Sequence, residues 1–381
     1  MNQDLGLNIL SRILDWNDER ARDEFDWLRL MARLKYDGYR DFQAGMRFIE
    51  SLATWLQQFT KAERETAYGF IRSALVYIGP SEMQRLVEQF YPREVRDRLV
   101  RTIAAQREIP MYRVLADLEA TKALNRLRRQ TLFMGLSDGA RVDIVRHSNV
   151  GLLTNEQLVV ATQVDAAKWK DLLDKLREDL KDQEARFAMV YLIDDFMGTG
   201  TSLLSYNKVK QKWGGKLVRF KDSMQAAAEA LENDQLFQPD WHLCVHHYIG
   251  SAHAKKVIEE RALEANTSLT GAGWPKTIHF SFGTVLPDDF PIDKAGGRYD
   301  DFIDLTKKYY DPIIQTRHTD VGGVTHLGLG YGGCALPLVL DHNTPNNSVA
   351  LLWAETEGGA RDQDIDAPAM RPLFRRRQRH A

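Results

Sequence analysis

A predicted buried strand, two acids and a loop of small residues form the part of the sequence best suited to chemistry. Segment 187–193 is Phe-Ala-Met-Val-Tyr-Leu-Ile, an unbroken apolar run that predicts a central β-strand covered on both faces. Asp194 and Asp195 follow directly, and then the loop Phe196, Met197, Gly198, Thr199, Gly200, Thr201 and Ser202. Glycines let a phosphate approach backbone N–H donors, and ionised carboxylates bind sugar hydroxyls strongly. The segment therefore predicts a site for a phosphorylated sugar.

The loop is expected at a strand-to-helix junction, because residues 201–213 are predicted to be helical. The unsatisfied N–H groups and the dipole of a helix start would favour an anion there. A phosphate loop of the ATPase type is disfavoured, since no Lys lies between Gly198 and Ser202 and the longer glycine spacing is missing. The alternative is a turn without a ligand, because Asp and Gly are common in turns.

The segment from Val190 to Leu204 resembles the ribose-phosphate signature of type I phosphoribosyltransferases. The resemblance extends more loosely over residues 112–290. It implies that Gly198, Thr199, Gly200, Thr201 and Ser202 hold the 5-phosphate of 5-phosphoribosyl pyrophosphate. It also implies that Asp194 and Asp195 hold the ribose hydroxyls of this Mg²⁺-bound donor. The Mg²⁺ would arrive on the donor pyrophosphate, and no metal ligand of the protein is predicted.

One residue departs from the pattern of the family. Purine-specific members often carry an Asp at the position of Gly198, where it serves as general base near the acceptor. Glycine has no side chain that could take a proton. Salvage of free purine bases is therefore disfavoured, and the acceptor stays open.

A second loop is the candidate for the pyrophosphate-binding element that the resemblance implies. It follows the predicted strand 131–134 and contains Gly135, Ser137, Asp138, Gly139 and Arg141. Gly and Ser expose backbone donors, and the Arg141 guanidinium would neutralise the departing pyrophosphate. Because breaking the ribose–pyrophosphate bond separates charge, positioning and electrostatics would supply most of the catalysis. An ordinary strand-to-helix turn is the alternative.

The elements around these loops predict an α/β fold with a mostly parallel sheet flanked by helices. Strands are predicted at 131–134, 187–193, 242–249 and 277–282, and helices at 165–182, 201–213, 223–232 and 252–265. Helical periodicity from Phe25 to Leu127 predicts a helical N-terminal domain, residues 1–111. The phosphoribosyltransferase-like domain is predicted at 112–360, with a C-terminal β-hairpin of 335–340 and 348–353. Residues 361–381 are predicted to be a basic, solvated tail.

Composition excludes several classes of protein. There are 51 basic and 53 acidic residues, so no overall basic field indicates nucleic-acid binding, although a local patch stays open. Two cysteines exclude a disulfide framework. No signal peptide and no apolar stretch of membrane-spanning length is evident, so we expect a cytoplasmic protein without a membrane partner. His246 and His247 are predicted to face opposite sides of a strand, with no acid or Cys at ligand spacing, which disfavours a metal site.

The longer arrangement more loosely resembles the phosphoribosyltransferase-like effectors of bacterial anti-phage systems, including retrons. The features that carry this resemblance are the helical front, Phe133–Asp138, the signature, 341–347 and 372–377. It implies a toxic transferase whose acceptor is a nucleic acid, a nucleotide or a protein. It also implies a nucleic acid, or a complex of reverse transcriptase and its DNA, as partner, and leaves oligomerisation open. The alternatives are a catalytically silent nucleotide sensor or DNA-binding module, and a nucleotide salvage enzyme.

Overall fold

The computed structural model describes residues 3–42, 46–231, 235–269, 274–275, 278–316, 319, 322–361 and 365–376. The α-helices are α1 Gln3–Ile13, α2 Asp18–Leu34, α3 Phe48–Gln57, α4 Arg64–Ser73, α5 Pro80–Phe90, α6 Arg96–Gln106, α7 Leu118–Arg129, α8 Val142–Ser148, α9 Ala166–Leu180, α10 Lys216–Ala230, α11 Ala252–Leu269, α12 Asp300–Lys308 and α13 Ala350–Trp353. The strands are β1 Val76–Ile78, β2 Thr131–Gly135, β3 Leu158–Val159, β4 Phe187–Met197, β5 Ser205–Asn207, β6 Lys212–Gly214, β7 Phe237–Ser251, β8 Ile278–Leu286, β9 Leu338–Leu340, β10 Gly359–Arg361 and β11 Ile365–Ala367.

The chain divides into two compact units. One comprises Met1–Met83 together with Pro287–Ala381, and the other is the continuous segment Gln84–Leu286. This division differs from the predicted domain boundaries. Residues 84–111 belong with the large sheet rather than with the N-terminal helices, and residues 287–360 belong with those helices.

The continuous unit is built on a five-stranded sheet of order β3-β2-β4-β7-β8. Each neighbouring pair in it is parallel, which confirms the predicted mostly parallel α/β fold. The strand predicted at 187–193 is the central β4, and it runs on through Asp194 and Asp195 to Met197. The other predicted strands correspond to β2, β7 and β8; Thr277 lies outside the described residues.

Both faces of this sheet are covered, as the apolar run in β4 requires. On one face, Val190 and Leu192 pack with Trp169 of α9, Phe220 of α10 and Ile258 of α11. The opposite face carries aromatic rings. Phe90 at the end of α5 contacts Phe133, Tyr191, His246 and Tyr248 with ring centroids between 4.5 and 6.4 Å apart.

The helix predicted at 201–213 is wrong. After one turn at Gly200–Leu204, the chain forms the antiparallel hairpin β5–β6, and α10 begins only at Lys216. The Asn207 side chain accepts the N–H of Lys210 at 2.9 Å, which fixes the turn, and Gln211 has a φ of +46°. Helix α10 includes most of the helix predicted at 223–232; Glu232 lies outside the described residues.

The discontinuous unit has a helical core, as predicted. The apolar stripe of α3, including Phe48, Leu52, Trp55 and Leu56, is fully buried. This unit also contains a parallel strand pair that local periodicity did not indicate, in which β1 pairs with β9.

The predicted C-terminal hairpin is wrong, because β9 takes its partner from far away in the sequence and residues 350–353 form the helical turn α13. A different hairpin forms later, between β10 and β11. The predicted solvated tail also differs from the structure, since Met370, Leu373 and Phe374 are buried in the core of this unit. The tail residues Arg377 and Arg379 lie outside the described residues.

Two adjacent histidines of β7 are buried on opposite sides of the parallel sheet. His246 and His247 are each 2% exposed. The His246 Nδ1 lies 2.9 Å from Ser281 Oγ, while the His247 ring lies against Phe282. Burial lowers the pKa of His246 to about 3, with a smaller contribution from His247. Burial likewise lowers the pKa of His247 to about 3, and the Lys216 ammonium adds to the decrease.

We therefore predict that acid destabilises the protein through these two residues. Both stay neutral in the folded state and gain protons on unfolding below the ordinary histidine pKa. Stability is thus present above about pH 6.5 and is lost as the pH falls toward 3, by about 1.4 kcal/mol per pH unit for each histidine. Urea unfolding between pH 7 and 5 measures the slope. His246→Asn should remove about half of the histidine contribution, whereas His253→Gln, at an exposed position, should leave the slope unchanged. An unchanged slope in His246→Asn contradicts the prediction.

Candidate functional site

Asp194 joins three segments at the carboxyl edge of the parallel sheet. Its side chain accepts hydrogen bonds from Ser137 Oγ and from Lys216 Nζ, and its Oδ1 also accepts the N–H of Asp195 at 3.2 Å. Asp194 is only 4% exposed. Burial raises its pKa, repulsion from Asp195 adds to the increase, and Lys216 and Ser137 oppose it. With three donors on its carboxylate, Asp194 mainly holds the site together.

Asp195 is the more exposed of the two acids. Because successive residues of a strand point to opposite faces, it lies across the sheet from Asp194. Its Oδ1 accepts the N–H of Phe196 at 2.8 Å, and its carboxylate lies directly over Gly139. A Cβ at position 139 would overlap that carboxylate. Gly139 thus lets the second loop pack against Asp195.

The loop after β4 presents unsatisfied backbone donors. Gly200 has a φ of +73°, and its carbonyl accepts the N–H groups of Leu203 and Leu204. In the part of the chain that the structure describes, the N–H groups of Thr199, Gly200 and Ser202 have no acceptor. The hydroxyls of Thr199 and Thr201 lie 2.9 Å apart beside them. Neighbouring backbone N–H groups without an acceptor, with hydroxyls beside them, are typical of anion-binding concavities.

Two side chains hold this loop by its carbonyls. Ser251 Oγ at the end of β7 donates to the carbonyl of Gly198 at 2.8 Å. Arg261 of α11 donates from Nη1 to the carbonyls of Thr199 at 3.4 Å and Leu204 at 3.2 Å. These contacts satisfy carbonyls of the loop, while the N–H groups of Thr199, Gly200 and Ser202 have no acceptor among the described residues. Sequence reasoning missed Ser251 and Arg261, because each is distant in sequence and has no motif around it.

The predicted junction of loop and helix needs a correction. The hairpin β5–β6 is inserted between the loop and α10, so the helix does not follow Ser202 directly. Helix α10 nevertheless meets the loop, since the Lys216 N–H bonds to the carbonyl of Ser202 at 3.0 Å. The insertion also brings Lys216 to Asp194. Sequence reasoning missed Lys216, because it assigned the helix start to Thr201.

The second predicted loop lies beside the first, as the parallel order of β2 and β4 requires. Ser137 Oγ accepts the Gly139 N–H at 3.1 Å and donates to Asp194, and Asp138 is exposed between them. Arg141 ends the loop in a left-handed conformation with a φ of +49° and is largely buried. Gly135 is different: it lies inside β2, where a Cβ would come within 2.9 Å of the Val160 carbonyl. Tight packing therefore explains that glycine.

The ion pair of Lys216 with Asp194 should dominate local stability. We predict that Lys216→Met lowers the free energy of unfolding by about 3–5 kcal/mol near neutral pH, because it leaves a buried carboxylate without a counter-charge. The loss should shrink in acid, where the carboxyl of Asp194 becomes neutral. Urea denaturation of a double-mutant cycle with Asp194→Asn measures the coupling, and the double variant should recover most of the loss. Lys221→Met, on the same helix, should cost less than about 1 kcal/mol. An equal loss in both single lysine variants would contradict the prediction.

Comparisons with known proteins place the chain in a family. The family model described as PRTase-CE matches residues 52–376, which is most of the chain and includes residues of both compact units. Comparison with curated proteins and comparison with solved structures each gave no match. None of the described helices combines the length and apolar character that a membrane crossing needs. The match extends well beyond the stretch 112–290 that the sequence resemblance covered. The chain belongs to the PRTase-CE family of phosphoribosyltransferase-like effectors.

Proposed function

We propose that the protein is a phosphoribosyltransferase-type enzyme that uses 5-phosphoribosyl pyrophosphate as donor. One observation carries the proposal: the N–H groups of Thr199, Gly200 and Ser202, which have no acceptor among the described residues, follow Asp195 closely in the chain, and the Asp195 carboxylate packs against Gly139 of the Ser137–Gly139 turn. An anion-binding loop, a partly exposed carboxylate and a second loop with a neighbouring Arg match the three parts of that donor. These parts are its 5-phosphate, its ribose hydroxyls and its pyrophosphate.

The residues then take separate roles. The loop from Gly198 to Ser202 binds the 5-phosphate, with the Thr201 and Ser202 hydroxyls as additional donors. Asp195 accepts hydrogen bonds from the ribose hydroxyls, while Asp194 positions the loops through Ser137 and Lys216. The turn from Ser137 to Gly139 and the Arg141 guanidinium bind the pyrophosphate and stabilise its charge as it leaves.

Mg²⁺ would enter the site on the donor pyrophosphate. Among the described residues, no group of three or more His, Cys, Asp or Glu side chains is arranged to hold a metal ion. The partly exposed carboxylate of Asp195 is an oxygen ligand of the kind that Mg²⁺ prefers, so this residue fits a donor-borne ion. Bound there, the ion would neutralise pyrophosphate charge. Asp195 would also stabilise the positive charge that develops on the ribose.

A nucleotide sensor is the second candidate, and one observation favours it. Lys216 neutralises Asp194, so a single acid faces the ligand where the family resemblance implies two. A fold of this kind can bind the donor without breaking it. Salvage of free bases is less well supported, because Gly198 offers no general base.

The decisive experiment is turnover of labelled donor with Mg²⁺. We predict pyrophosphate release by the wild type and a loss of at least about 100-fold in Asp195→Asn, since a neutral amide stabilises the cationic sugar far less than a carboxylate does. Asp222→Asn, at an exposed position of α10, is the matched control and should keep full activity. Tight donor binding without release supports the sensor. Absence of donor binding refutes both candidates.

A second variant tests the contact between the two loops. We predict that Gly139→Ala weakens donor binding about tenfold or more, because the added Cβ displaces the Asp195 carboxylate. A hydrogen bond from a donor hydroxyl to this charged group would contribute about 1.5–3 kcal/mol. Gly69→Ala is the control, because a Cβ there meets no atom within 4 Å. Calorimetric titration with the donor measures both variants. Equal affinity in Gly139→Ala and the wild type would show that the loop contact plays no part.

We further propose that the transferase acts as a toxic effector in bacterial anti-phage defence. Membership in the effector family supports this role. In this proposal the acceptor is a nucleic acid, a nucleotide or a protein of the cell, and phage infection is the trigger. The test is phage challenge of bacteria that carry either the wild type or Asp195→Asn. The genes that flank the protein's own gene are supplied in both strains. Protection that depends on the carboxylate supports the role, and protection by both forms contradicts it.

A further inference from the structure

The inserted hairpin β5–β6 creates a strong local excess of positive charge beside the candidate site. Between Asp195 and Asp222 the sequence has no acidic residue, while the chain as a whole balances 51 basic against 53 acidic residues. The cations of this stretch are Lys208, Lys210, Lys212, Lys216, Arg219 and Lys221. Lys216 is paired with Asp194. Lys221 lies 6.0 Å from the centre of the Trp274 ring, so the exposed cations of the stretch are Lys208, Lys210, Lys212 and Arg219.

Three of these lysines occupy the tip and one edge of the hairpin. Lys208 and Lys210 lie in the turn, Lys212 begins β6, and all three are exposed. No carboxylate in the described part of the chain lies within ion-pair distance of them. Val209 at the tip is 95% exposed. The hairpin therefore projects into solvent three ammonium groups that have no carboxylate partner among the described residues.

An aromatic pair joins the two strands of the hairpin. Trp213 is partly buried and packs against the core of the sheet unit, which anchors β6. The Tyr206 ring lies against it, with ring centroids 5.2 Å apart and an interplanar angle of 57°. Tyr206 itself is 45% exposed. Nearly half of the Tyr206 surface is thus open to solvent, on the same hairpin as the three lysines.

The base of the hairpin is fixed to the phosphate-binding loop. Lys216 N–H bonds to the carbonyl of Ser202, and Leu217 N–H bonds to the carbonyl of Leu203 at 3.1 Å. Gly215 between them has a φ of +113°, and a Cβ there would come within 2.5 Å of the Leu203 carbonyl oxygen. The two ends of the hairpin thus meet at the loop that contains Ser202 and Leu203. A ligand on the hairpin therefore lies next to the candidate site.

We propose that this basic hairpin, residues 205–214, binds single-stranded nucleic acid. Ammonium groups suit the phosphates of the backbone, and an exposed tyrosine suits an unpaired base, a combination typical of single-strand binding surfaces. A duplex keeps its bases stacked on one another and would leave Tyr206 unused. An acidic peptide would satisfy the lysines but not the ring. The inference deepens the proposed function by naming the class of macromolecule brought to the site, but the binding itself needs no donor.

The test is fluorescence anisotropy of the full chain with labelled strands of about 20 nucleotides. Single-stranded DNA, single-stranded RNA and a blunt duplex are compared. The first two affinities show whether the hairpin prefers DNA or RNA. We predict that changing Lys208, Lys210 and Lys212 to Gln weakens single-strand binding at least about tenfold and lowers the salt-dependence slope by about 2, since each phosphate contact contributes about 0.7. Tyr206→Ala should weaken it about tenfold with the slope unchanged.

A matched control removes the same charge elsewhere. Lys168, Lys170 and Lys175 lie on α9 and are each paired with an acid of that helix. Changing these three to Gln should leave binding unchanged. Thermal unfolding of each variant verifies that it is folded.

Several outcomes would overturn the inference. They are equal binding of duplex and single strand, equal loss in both triple variants, or displacement of the strand by a poly-glutamate peptide at the same charge concentration. A hairpin variant that loses affinity for the donor but keeps its affinity for single-stranded nucleic acid would assign the lysines to donor binding instead. Strand binding without any donor binding would leave the hairpin proposal standing and refute the transferase, so the two failures are distinguishable.

Discussion

The buried carboxylate of Asp194 is the constraint on which the candidate site depends. A carboxylate at 4% exposure is costly unless donors surround it, and it receives them from Ser137 of one loop and Lys216 of another segment. Because removing any donor leaves a buried charge partly unsatisfied, the three segments are held in one arrangement. The first acid of the motif thus stabilises the architecture, and Asp195, on the opposite face of β4, is the more exposed acid to which we assign the ligand in the proposed function.

The same arrangement determines how the loop from Gly198 to Ser202 presents its donors. Ser251 and Arg261 take carbonyls of the loop, whereas the N–H groups of Thr199, Gly200 and Ser202 keep no acceptor within the described residues. A loop fixed through its carbonyls pays little entropy when an anion arrives, because its donors are already oriented. The hairpin β5–β6 begins after this loop, and its end is bonded back to it. The positive charge of the hairpin therefore lies close to the loop.

Much of the fold was predictable, because its signals are local. The apolar run 187–193 has the length of a strand buried on both faces, and the stripe in α3 has the spacing of a helix with one buried face. The two loops could be placed side by side, since parallel strands align their carboxyl ends. The hairpin of residues 205–214 was missed, because its Tyr, Lys and Trp residues also fit a short helix and only the turn at Asn207 decides between the two.

The sequence by itself determined the parallel sheet, the helical core and the pair of glycine-containing loops, because periodicity and small-residue spacing are written in neighbouring residues. Only the tertiary structure decided that β1 pairs with β9, that Met370, Leu373 and Phe374 close a core, and that Lys216 neutralises Asp194. Those contacts join residues separated by other elements of the chain. Their energy comes from burial and from compensation of charge, which depend on what surrounds a residue in space and not on its neighbours in sequence.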